Sequence, residues 1–241
     1  MGHSEHFNSE GERIPSVSEI PALFSKDMSG FEDWICKGLH DKNALCCTKA
    51  KRKYYEEAAH LGNDIHALRE AFLNGESFQE GIPEYQAAVF DPVARFYKES
   101  GYKPMFIEEQ MTGQHFGGTL DGAGTFSKPF WEKQRKSFYD GYSLAYMNKL
   151  EFPDQLLPTT KTIWVEDLKI KSKLDVLHPL QLYGYRLLLM ETKNIAADWG
   201  LIIRREKNLD KKPEIQLKAY YLPAYQEQWF ASVLMWSFLN K

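Results

Sequence analysis

Trp164-Val165-Glu166-Asp167-Leu168-Lys169-Ile170-Lys171 sets an acid and a lysine two residues apart in a run that otherwise reads as a β-strand. Successive strand side chains point to opposite faces. Asp167 and Lys169 therefore project together, on the side of Ile163 and Val165. A carboxylate can hold a divalent cation. An ammonium beside it can hold a phosphate or an attacking water. The pairing suits phosphodiester hydrolysis, but Asp-x-Lys is common by chance and takes its force from its surroundings.

Working outward, Met105 to Met111 reads as a strand, and so does Gly117 to Thr125, whose glycines allow close approach of backbone. Residues 126–160 are too long for a hairpin connection and read as an insertion before the Asp167 strand. Beyond it, residues 179–193 read as a helix opened by Pro179. Gly200–Glu206 and Glu214–Leu222 read as two strands around a polar turn, followed by a helix from Pro223. Upstream, Ser16 or Ser18 can cap a helix start. Residues 31–40, 48–73 and 83–100 read as helices, the last stopped by Gly101. The order implies an α/β or α+β domain around one mixed sheet, with a helical N-terminal part. Residues 1–13 read as a flexible lead-in, and 14–241 as a single domain.

Composition narrows the classes. The 241 residues are 43% hydrophobic, enough for a sizeable core. A net charge of −3 supplies no global positive field, although basic residues cluster at Lys49–Lys53, Lys128–Lys136 and Arg204–Lys212. Each cluster can equally be a solvated surface. Cys36, Cys46 and Cys47 lie in the first fifth, odd in number and without zinc-like spacing, so neither a disulfide framework nor a zinc site is expected. No apolar signal region, Arg-rich transit pattern or membrane span is read, which points to a cytoplasmic protein with no membrane partner.

Four further features accompany the Asp167 strand. Gly118-Thr119-Leu120-Asp121 sets a second carboxylate on the preceding strand, where Asp121 can also be read as a turn residue before Gly122. Two acids on neighbouring strands can share Mg²⁺, which wants hard oxygen ligands at ~2.0–2.1 Å. Gln181 and Tyr185 stand four apart and share a helix face, as ordinary packing residues also do. His66 follows Gly62 by four in the long helix, and Glu70, one turn on, could hydrogen-bond it. Glu108 and Glu109 offer one more acid, unless they serve only to keep a strand edge soluble.

Taken in order, Gly62-x₃-His66, Glu108 or Glu109, Gly118-x₂-Asp121, Asp167-x-Lys169 and Gln181-x₃-Tyr185 resemble the pattern of RecB-type nucleases in the PD-(D/E)XK superfamily. Pro15 to Ile20 looks like the usual start of these domains, and the resemblance runs from about residue 14 to residue 222. It implies a restriction-endonuclease-like core and a divalent-metal-dependent DNA exonuclease acting on free ends or single strands. By resemblance, Asp121, Asp167, His66 and the Leu168 carbonyl would bind Mg²⁺ or Mn²⁺. Lys169 would position or activate the attacking water, and Glu109 would be a further acid at or behind the metal. Gln181 and Tyr185 would hold their helix to the site and touch DNA.

The chain departs from the family in three places. Ile170 stands where Thr is frequent, the 126–160 insertion is long, and Glu166 beside Asp167 leaves a second register, which strand parity disfavours. No cysteine follows Cys47, so no iron–sulfur cluster is expected, and no phosphate-binding loop marks a helicase. A stand-alone enzyme of phage or bacterial origin is the expectation, with a phage recombination or replication protein as a conceivable partner. The alternatives are a non-catalytic DNA-binding relative and a structure-specific endonuclease. Within the insertion, Phe130, Trp131, Lys133, Arg135 and Lys136 are expected to hold single-stranded DNA by stacking and phosphate contacts.

Overall fold

The computed structural model describes residues 5–22, 47–76, 82–127, 158–170, 177–205 and 215–239, with only the backbone at residue 22, over 47–58 and at residue 239. The expected helix at 31–40, residues 128–157 of the insertion with all five of its proposed DNA-binding side chains, and the turn after Arg205 lie outside the described residues.

The elements in chain order are β1 (His6–Phe7), β2 (Arg13–Ile14), α1 (Glu19–Ala22), α2 (Cys47–Leu73), α3 (Glu84–Ser100), β3 (Lys103–Thr112) and β4 (Gly117–Thr125). They continue as β5 (Trp164–Ile170), α4 (His178–Lys193), β6 (Trp199–Arg205), β7 (Ile215–Tyr221), a 3₁₀ turn (Leu222–Tyr225) and α5 (Gln226–Leu239). Five strands form one mixed sheet in the order β3-β4-β5-β6-β7. Its pairs are antiparallel except β5–β6, which are parallel and joined through α4. The chain is thus α/β, with a mixed sheet flanked by helices.

Two layers of side chains sandwich the sheet. On one face, Ile65 of α2 and Val89, Phe90, Val93 and Phe96 of α3 pack on Trp164, Leu168, Trp199, Leu201 and Ile203. On the other, Leu182 and Leu188 of α4 and Trp229 of α5 pack on Leu120, Val165 and Ile202. The run Trp199 to Ile203 is buried throughout, as a strand covered on both faces requires. Gly101 at φ +61 ends α3, and Asn194 at φ +56 ends α4. Both are left-handed caps of the usual kind.

The N-terminal stretch departs from expectation. Rather than a free lead-in, residues from Glu5 onward fold back: β1 pairs with β2 and His6 is buried. Val17 N donates to the Gly117 carbonyl at 2.7 Å, and Gly117 N to the Pro15 carbonyl at 3.0 Å, which ties the segment to the start of β4. Ser16 Oγ accepts from Glu19 N at 3.1 Å while Glu19 Oε2 accepts from Ser16 N at 2.8 Å. This reciprocal capping box opens α1, so Ser16, not Ser18, is the cap. Among the described residues, no helix is long and apolar enough to cross a membrane.

Candidate metal centre

Strand register builds the site. Ile107 lies opposite Gly122 and Glu109 opposite Leu120, so Glu108 falls opposite Asp121. Gly122 lies opposite Glu166, so the same register one step on sets Asp121 against Asp167. Three acids thus form a row across β3, β4 and β5. Asp121 Oδ2 accepts from Leu168 N at 2.9 Å, which holds β4 and β5 together at this point.

From the α2 side, His66 reaches into the row. Its Nδ1 lies 3.1 Å from Glu108 Oε1 and 3.6 Å from Asp121 Oδ2, and its Nε2 lies 3.1 Å from the Leu168 carbonyl. Ligand atoms of His66, Glu108 and Asp121 all lie within 4.8 Å of one another. Glu70, the partner the sequence suggests for His66, is exposed.

Asp167 and Lys169 share the opposite face of β5. Lys169 Nζ lies 2.6 Å from Asp167 Oδ1, yet neither Asp167 oxygen makes a well-directed hydrogen bond, and both are buried. Burial pushes the Asp167 carboxyl up to about 6; the Lys169 charge opposes this and the Asp121 charge adds to it. For Lys169, burial favours the neutral amine, but Asp167 and Asp121 outweigh it and hold the ammonium. Tyr185 is buried on the α4 side, its ring over Gly118, where a Cβ would lie 2.9 Å from Cε1. Burial, together with the charges of Asp121 and Asp167, keeps the phenol protonated, and Gln181 hydrogen-bonds it.

Glu109 is not part of this group. It faces the end of α4, where Lys193 Nζ lies 2.5 Å from its Oε1. Glu108 takes the position instead. Phe106 and Glu109 both lie on the α4 side, three residues apart, so the simple alternation of β3 breaks between them. It breaks at Glu108, whose φ of +48 is in the left-handed region. Such backbone is uncommon outside glycine and clusters at functional sites. Beside it, β4 also changes parity: Leu120 and Ala123 both face the α4 core.

A buried network unanticipated from the sequence supports the row. Arg69 is fully buried, and its guanidinium binds Glu166, Glu108 Oε1 at 3.2 Å, Tyr97 Oη at 2.7 Å and the Asp121 carbonyl at 2.8 Å. Tyr97 donates to the second oxygen of Glu166. Glu166 thus faces away from Asp167, into the α2–α3 layer, as parity requires. A Cβ at Gly122 would collide with the Glu166 carboxylate and the Arg69 guanidinium, so only glycine lets this pair press against β4. The available signal was the spacing of Arg69, three residues beyond His66 on the same helix face. Arg69→Met should destabilise the fold by about 3–5 kcal/mol, because it leaves the Glu166 charge buried without its partner. Chemical denaturation measures this; a loss under about 1 kcal/mol would mean that Glu166 does not depend on Arg69.

The donor set fits a hard divalent cation. It combines carboxylate oxygens of Glu108 and Asp121, the Leu168 carbonyl and one imidazole, with two poorly satisfied Asp167 oxygens in the next strand position. Burial alone would lower the His66 pKa, but Asp121 and Glu108 outweigh it and push the imidazole up to about 9. A ligating imidazole must be neutral, so binding displaces this proton. Metal affinity should therefore climb with pH, by up to about tenfold per unit from about pH 7 to about pH 9. Mn²⁺ titrations across that range test it, and an affinity that falls as pH rises would exclude His66 as a ligand.

No protein-family model matches this chain, and no curated protein matches it either.

Proposed function

We propose that the protein is a divalent-metal-dependent DNA exonuclease of the RecB-like PD-(D/E)XK type, with a restriction-endonuclease-like core. The observation that carries this reading is the row of Glu108, Asp121 and Asp167 across three strands, with Lys169 beside it and His66 from the helix above. A mixed five-stranded sheet with the acids on three adjacent strands supports the fold assignment.

His66, Glu108, Asp121, Asp167 and the Leu168 carbonyl would hold Mg²⁺ or Mn²⁺. When bound, such a cation polarises a phosphoryl oxygen and makes water a nucleophile near neutral pH. The chain's own groups supply the rest. Lys169, kept as an ammonium by Asp167, offers donors to the phosphate and to the attacking water. Those donors stabilise the charge that builds as the water oxygen bonds to phosphorus and the ester oxygen leaves. Tyr185, held protonated and bound by Gln181, fixes the α4 side of the row. Arg69 holds Glu108 in its strained position and binds the Asp121 backbone.

End-labelled single- and double-stranded DNA and closed circular DNA, incubated with Mn²⁺, test the reading. Stepwise release of nucleotides from ends, none from the circle, and complete loss in excess chelator are the expected results. Cutting of the circle would favour an endonuclease, and binding without cutting a non-catalytic relative. Phe130, Trp131, Lys133, Arg135 and Lys136 are proposed to hold the single strand. Replacing Lys133, Arg135 and Lys136 together by Ala should weaken single-strand binding and flatten its salt dependence. An unchanged salt slope would put the DNA elsewhere, with the Lys49–Lys53 cluster the next place to look.

A further inference from the structure

The C-terminal helix α5 is apolar nearly all round. Its sequence, Gln226 to Leu239, carries one charged residue, Glu227, in its first turn. Trp229 and Ser232 are buried, and Val233 and Trp236 pack against the core. The opposite side leaves Phe230 48%, Leu234 70%, Met235 45% and Phe238 81% exposed. These are half of the eight large apolar side chains exposed among the described residues. A helix hydrophobic on every side belongs in an interior. Four such side chains expose roughly 450 Å², within the range of patches that carry function.

The order of residues along this stripe points to its occupant. Phe230, Leu234 and Phe238 follow one another at intervals of four, so they form a single ridge. Phe-x₃-Leu-x₃-Phe reads the same from either end. Laid antiparallel on a copy of itself, the ridge sets Leu on Leu at the centre and Phe opposite Phe at both ends. That is the self-complementarity a two-fold interface requires. The stripe carries no lysine or arginine for an anionic lipid surface or a nucleic acid, and no acid for a basic partner.

We propose that α5 is a homodimer interface, packed antiparallel on α5 of a second copy about a two-fold axis at Leu234. Two stripes with their flanking residues would bury roughly 1,000–1,200 Å² in all, the lower bound for a specific interface. The dimer therefore dissociates on dilution. This inference does not depend on the nuclease reading, because its test reads mass, not cleavage.

Charge pairing across the axis gives the test. Sedimentation velocity of the full chain over a dilution series should show a dimer that shifts to monomer as concentration falls. Leu234→Glu and Leu234→Lys should each be monomeric throughout, since each sets two like charges face to face. Mixed in equal amounts, the two variants should recover the dimer. Leu234 is mostly exposed, so both variants keep the fold, which thermal melting checks. Phe238→Glu, at a still more exposed position, is a second disruption expected to give monomer. A parent chain that is monomeric at every concentration would overturn the proposal and leave another part of the chain or a different protein as the cover. A Leu234→Glu dimer would also overturn it, as would a mixture that stays monomeric.

Discussion

Lys169→Ala should lower single-turnover DNA cleavage at least ~10²-fold, the scale of losing one preorganised donor at a developing charge. The effect has two sources. On the proposed chemistry the ammonium would no longer meet the phosphate and the water, and Asp167 loses the charge that opposes its burial. Asp167 already titrates at about 6 with Lys169 present. Without Lys169 its pKa rises further, so near neutral pH more of it is protonated and unable to bind metal. Part of the metal affinity should therefore return as pH is raised, while the rate should not return in full. Asp121→Ala and Asp167→Ala should reach a similar loss without that recovery. Cleavage by Lys169→Ala at the parent rate, with end-labelled DNA and saturating Mn²⁺, would falsify the proposed chemistry.

Glu108→Gln and Glu109→Gln should behave oppositely, although the residues are neighbours. Glu108 belongs to the proposed ligand group with His66 and Asp121, so its amide should weaken Mn²⁺ binding by about 10–100-fold. Glu109 makes a partly exposed ion pair with Lys193. Such pairs contribute about 0–1 kcal/mol, so Glu109→Gln should leave both metal binding and cleavage within a few-fold of the parent. Calorimetric Mn²⁺ titration of both variants decides the matter. A severe defect in Glu109→Gln beside a mild one in Glu108→Gln would show that the strand faces the other way in solution.

Much of the fold was legible from local chemistry. The strands at Gly117–Thr125 and Trp164–Ile170 follow from alternation and from the glycines, and the bounds of α3 and α4 follow from Gly101 and Pro179. Asp167 and Lys169 share a face because a regular strand repeats every two residues. His66 and Asp121 were named from their order along the chain, and the structure brings them within reach of one another. Residues 5–13 read as part of a lead-in because their polar composition hides the pairing of β1 with β2. That pairing depends on contacts with β4, far away in the chain.

Glu108 and Arg69 mark where reading by pattern stops. The resemblance assigned the acid of β3 to Glu109, and nothing in the residue types separates that position from Glu108. A left-handed residue at Glu108 and a change of parity in β4 between Leu120 and Ala123 turn Glu108, not Glu109, toward His66, and neither is written in residue types. Arg69 looks like a surface residue of a long helix, because an arginine is seldom fully buried unless paired. Its partners come from four other elements, Tyr97 of α3, Glu108 of β3, the Asp121 carbonyl of β4 and Glu166 of β5. The sequence by itself determined the elements from α2 to α5, their order, and which acids and lysine could do chemistry, because these depend on near neighbours in the chain. Only the tertiary structure decided which glutamate joins the row, what neutralises Glu166, and which face of α5 is left uncovered. Those outcomes depend on strand register and helix docking, where residues far apart in the chain compete for the same few ångströms.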